Sequence, residues 1–186
     1  MRYGSLAVVS ASSLLFGLCL TLLFFGMRGI MELGGFVAVG GPYEIAHPAP
    51  DWVWVLPVSI VGGMLAVGVN MIAAGRVGGF TLVLPAWCAL FLSLGWNFLE
   101  FGLWPPGGGT AWGWLVSAIA FFLMGLGPLV IVALGGWELW PTEGWLKGRP
   151  RLTHGAGFII AYTILVVVSV GVGVFLGMSA FSSVST

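Results

Sequence analysis

The residues able to do chemistry gather in a short part of an otherwise apolar chain. Arg28, Glu32, Glu44, His47 and Asp51 fall within the stretch 28–51, and Glu100 stands alone near the end of a later apolar run. Carboxylates and an imidazole are the donor types of a cation site, but their spacing matches no metal-binding motif. Ser93, Asn97 and Glu100 are spaced by four and then three, which places them on one face of a helix. An ionisable group in a membrane helix faces the bundle interior and takes a partner. Arg28 is the expected partner, and an Arg28–Glu100 pair would tie two helices together. Glu32, four residues beyond Arg28, would share it. Left unpaired, Glu100 would instead be a proton or cation site. Asn70 lies in a stripe of small residues with Ser59, Gly62, Ala66 and Ala73, where an amide can bond to a closely packed neighbour.

Catalytic groupings are sparse. The two histidines, His47 and His154, sit on opposite sides of the membrane in the topology set out below. There is no mid-helix histidine to ligate haem, no intramembrane acidic pair and no His-Glu-x-x-His sequence. Cys19 and Cys88 lie at different depths in separate apolar runs, so neither a disulfide nor a metal-type cysteine pair is expected. Neither a cofactor nor a metal is expected, and an enzyme is the least favoured class.

The elements that position these residues follow from composition. Of 186 residues, 59% are hydrophobic and only 6% are charged, against about 25% charged in a soluble domain. So few charges cannot cover a water-facing surface, and the solvent is lipid. Apolar runs at about 6–27, 52–74, 80–103, 111–134 and 156–178 are each long enough for a hydrocarbon core of about 30 Å. Backbone groups in lipid must be satisfied within the segment, so the runs are helices. The expectation is an all-α polytopic membrane protein. Its 186 residues form a single transmembrane domain of about five helices with one long loop at 28–51. Asp51 is placed to cap the second helix and Gly127-Pro128 to kink the fourth. The uncharged stretch 3–27 exceeds a signal-peptide core and reads as an uncleaved first helix.

Charge distribution sets orientation. Arg2, Arg76, Lys147, Arg149 and Arg151 share one side of a five-pass zigzag, and only Arg28 falls opposite. By the positive-inside rule the N-terminus is cytoplasmic and the C-terminus outside, in the cell membrane. Aromatic belts agree: Tyr43, Trp52, Trp54, Trp104, Trp112 and Trp114 at the outer rim, and Tyr3, Trp137, Trp140 and Trp145 at the inner. The loop 135–155 mixes tryptophan and leucine with cations, which suits a segment lying on an anionic leaflet. The outer loop, with its glycine pairs around 36–39, reads as a cap over the helix ends or as a lid on an entrance.

The loop sequence Gly-Gly-Pro-Tyr-Glu-Ile-Ala-His-Pro-Ala-Pro, residues 40–50, resembles a stretch in small, uncharacterised bacterial multi-pass membrane proteins. The resemblance implies a membrane location and no particular activity. The cysteines that often accompany that stretch are missing here, so no loop disulfide carries over.

Small-residue stripes are packing faces. Helix five offers Gly157, Ala161, Ser169, Gly173 and Gly177, and helix one offers Ser13, Gly17 and Thr21. The expected partners are the lipid bilayer, and other membrane subunits or further copies of the chain docked through such stripes; nucleic acid is not among them. The favoured function is a non-enzymatic accessory or helix-packing subunit of a membrane assembly. The alternative is an oligomeric channel or a small-solute or ion transporter.

Overall fold

Two helices of this chain contain a proline close to their start, and one contains a proline in its middle; each is accommodated differently. In the computed structural model, which describes residues 2–32, 50–105, 108–133 and 155–184, the helices are α1 (Arg2–Glu32), α2 (Val55–Val77), α3 (Val83–Leu103), α4 (Trp112–Ala133) and α5 (Ala156–Val184). Pro57 and Pro85 are third residues of α2 and α3. A first-turn N–H has no intrahelical acceptor, so nothing is lost there. Pro128 interrupts α4 and leaves the Met124 carbonyl without its usual donor. The indole of Trp87 on α3 donates to that oxygen at 2.8 Å. The helix therefore continues through Pro128.

All five helices are long and apolar enough to cross a membrane, and there is no strand among the described residues. The molecule is an all-α polytopic membrane bundle. Glu44, His47 and His154 lie outside the described residues, as do the resemblance-bearing stretch, the proposed lid and the cation-rich loop. Two boundary expectations are corrected. α1 runs on to Glu32, so Arg28 and Glu32 are helical and not part of a loop. Asp51 opens a 3-10 turn, Asp51–Trp54, and makes no side-chain cap bond. That turn is closed by the backbone, with Val53 N–H donating to Pro50 O at 2.9 Å.

α1 is the central helix. α2 runs antiparallel along one side, with Leu56 against Gly26 and Cys19 against Gly62. α5 runs parallel along another side, where a Cβ at Gly17 would overlap the Val170 carbonyl and one at Gly173 the Leu14 carbonyl. This is backbone-to-backbone contact of the kind small residues permit. The Ser10 and Ser169 hydroxyls share a hydrogen bond of 2.8 Å along the same seam. The α5 stripe is thus filled by the chain's own α1, through Ser169, Gly173 and Gly177 only. Gly157 and Ala161 are exposed, and Tyr162 and Val166 take the buried face instead. Steps of four advance about 400° around a helix of 3.6 residues per turn, so such a stripe drifts by about 40° per step. Across five steps it leaves the face it began on.

α3 and α4 form an antiparallel hairpin. Phe91 stacks on Phe121 at 5.7 Å, Phe98 meets Phe121 tilted at 4.9 Å, and Phe98 stacks on Trp114 at 5.3 Å. Gly95 and Gly102 are notches for Phe122 and Leu115, and Gly125 receives Leu92. The hairpin touches α1 along a narrower seam, and α4 packs chiefly on α3.

Close α1–α5 packing carries a direct consequence. Gly173→Leu should lower stability by about 2 kcal/mol or more, since the obstruction is backbone and cannot turn aside. Gly157→Leu, which meets nothing within 4 Å, should leave stability unchanged. Unfolding of the two variants in mixed micelles of rising dodecyl sulfate content reads the difference.

Candidate functional site

The hairpin reaches α1 through polar side chains. At one end of the bundle Arg28 forks onto Glu100: Nη1 donates to Oε2 at 2.7 Å and Nη2 to Oε1 at 2.5 Å. Two parallel N–H···O bonds are the strongest form of such a pair. Arg28 Nε donates to Glu32 Oε1 at 3.2 Å, one turn along α1. The guanidinium also lies 5.9 Å from the centre of the Phe101 ring, within cation–π range. The side chains of Arg28 and Glu100 are 29% and 32% exposed. They sit near the last turns of α1 and α3 and are only partly covered by the protein.

One turn deeper, Asn97 is fully buried and its amide donates to the Phe24 carbonyl of α1 at 3.4 Å. Among the described residues its Oδ1 has no hydrogen-bond partner, and neither does the buried Ser59 hydroxyl on α2. Ser93, the third member of the α3 stripe, bonds back to Leu90 O of its own helix and not across the interface. The stripe thus faces α1 with two of its three members engaged.

The other end of α3 is held by Asn70. This fully buried amide donates to the hydroxyls of Ser12 and Ser13 on α1, at 3.2 and 3.3 Å. Its Oδ1 accepts the backbone N–H of Leu82 at 3.0 Å. Leu82 precedes α3, and its N–H is one of those a helix start leaves without an internal acceptor. One side chain therefore joins α1, α2 and the entry to α3. The turn before it forms because Gly78 adopts a left-handed conformation, φ 71°, and ends α2. Tyr162 of α5 clamps the same turn, its hydroxyl donating to Phe80 O at 2.9 Å. A side chain at Gly79 would overlap the Tyr162 ring.

Of the residues singled out from sequence, the structure brings Arg28, Glu32, Asn97 and Glu100 together at one end and places Asn70 toward the other. Asp51 has no ion-pair partner among the described residues. No group of three His, Cys, Asp or Glu side chains among them could hold a metal. Cys19 and Cys88 are both buried and free. Sequence reasoning missed Tyr162 and Trp87. Both act on backbone carbonyls, and only the proline four residues past Met124 signalled either one.

No protein-family model, curated protein or solved structure matches this chain.

What the arrangement does chemically is to neutralise its own charges. Removing Arg28 strands Glu100, and removing Glu100 leaves Arg28 with Glu32 alone, whereas removing both strands neither. Arg28→Met and Glu100→Met should each destabilise, and the double variant should recover part of the loss, giving a coupling of about 1–3 kcal/mol in a double-mutant cycle. A coupling near zero would show the pair to be incidental. Asn70→Leu should cost about 1–3 kcal/mol by leaving the Leu82 N–H buried without an acceptor. Hydrogen exchange at Leu82 should accelerate more than at the mid-α3 amides.

Proposed function

We propose that this chain is a non-enzymatic, multi-pass component of a membrane assembly. It sits in the cell membrane with its N-terminus cytoplasmic and its C-terminus outside. The observation that carries the reading is the Arg28–Glu100 fork. An intramembrane acid is by default a candidate for transport or proton transfer, and here both its oxygens are bonded to an arginine of the same chain. Asn70 and Asn97 likewise bond to neighbouring helices. Among the described residues these polar side chains bond helix to helix and act as glue.

α4 adds a second line of support. It rests chiefly on α3, and Val116, Ile119, Leu123 and Val130 share one exposed face of the helix. That face is open to lipid or to the helices of another subunit.

Purification in a mild detergent, after brief crosslinking in the native membrane, should recover stoichiometric membrane partners whose crosslinks map to α4. A chain that elutes alone as a homo-oligomer, and whose liposome flux falls on Glu100→Gln, would contradict this and establish the channel reading. Topology is tested separately. Single cysteines at Ser5 and Gly113 should react with an impermeant maleimide from the cytoplasmic and outer faces respectively.

A further inference from the structure

Between the first turns of α1 and the last turns of α2 lies a groove of about 330 Å³. Gly4, Ser5, Val8, Val69, Ile72 and Arg76 form most of its lining. Its chemistry is graded along the bundle. Arg76 and Ser5 stand near the helix ends, and Val8, Ile72 and Val69 follow one to two turns further toward the helix middles. Arg76 is exposed and has no ion-pair partner among the described residues. Gly4 has open space where a side chain would project, so nothing of its own covers the head of the groove.

We infer that this groove holds one anionic phospholipid, with its phosphate on Arg76 and Ser5 and an acyl chain along Val8, Val69 and Ile72. The occupant is chosen by charge complementarity. A cationic head above an apolar wall matches an amphiphile with a negatively charged headgroup, and basic pockets between transmembrane helices take such headgroups. A guanidinium is the side chain best suited to fork onto a phosphate. A helix from another subunit would cover the wall but leave Arg76 uncompensated. A free phosphate would meet Arg76 but leave the wall bare. The inference is independent of the subunit reading, and of which leaflet the Arg76 end faces.

Native mass spectrometry tests it. The intact chain is released from micelles holding equal amounts of phosphatidylglycerol and phosphatidylcholine. The wild-type chain should keep one phosphatidylglycerol in preference, by roughly fivefold for a single cation at the surface. Arg76→Gln should bring the two lipids to parity. Val69→Trp, which fills the wall and leaves the charge, should reduce retention of both. Both positions are exposed, so each variant should unfold at the wild-type midpoint, which is measured alongside. Excess inorganic phosphate should not displace the lipid. An undiminished preference in Arg76→Gln would overturn the inference. So would unchanged retention in Val69→Trp, or displacement by inorganic phosphate, which would mark a simple anion site.

Discussion

Helices already in lipid gain nothing from hiding apolar surface against one another, because lipid tails are as apolar as leucine. Every feature of this bundle answers to that constraint. What joins helix to helix must be close packing, which needs small residues, or hydrogen bonding, which needs polar ones. The chain uses the first for α1 with α5, where Gly17, Gly173 and Gly177 bring backbones into contact. It uses the second for α3. That helix is bonded at its start through Leu82 to Asn70, and near its end through Asn97 and Glu100 to α1.

The result is a three-helix unit, α1 with α2 and α5, carrying a hairpin held near the two ends of α3, about 27 Å apart at 1.5 Å per residue. α4 is the outermost element and depends on α3 for its place, through a ladder of aromatic rings and glycine notches. The polar anchors differ in character. Asn70 is wholly enclosed and satisfies a backbone N–H that has no other acceptor, so it belongs to the folded framework. The Arg28 fork is part exposed and joins the last turns of α1 and α3.

Much of this was legible beforehand. Five long apolar runs, with Glu100 their one charge, in a chain with 6% charge point to membrane helices. The spacing of Ser93, Asn97 and Glu100 announced a face, and the scarcity of charge left Arg28 as the natural partner of Glu100. The stripe on α2 is legible for the same reason: Ser59, Ala66, Asn70 and Ala73 are buried on one face, and Gly62, half-buried, meets Cys19 of α1. The failures have physical causes. Helix ends were drawn where charges begin, but a helix does not stop at an arginine, so α1 continued through Arg28 to Glu32. A stripe at steps of four drifts around the helix, so only Ser169, Gly173 and Gly177 of the α5 stripe stay on the α1 face. The bonds of Tyr162 and Trp87 depend on which carbonyls a turn or a proline leaves open. Side-chain spacing alone does not reveal that.

The central claim is that a few polar bonds, and not apolar packing, fix where the α3–α4 hairpin lies. Spin labels at Val58 on α2 and Val116 on α4 are both exposed and sit toward the Arg28 end of the bundle. Pulsed dipolar spectroscopy in liposomes should give one narrow distance distribution for the otherwise unaltered chain. It should give a broad one when Arg28 and Glu100 are both methionine, with the helix content unchanged. A distribution that stays narrow and unshifted without the pair would contradict the claim and return the hairpin's placement to apolar packing.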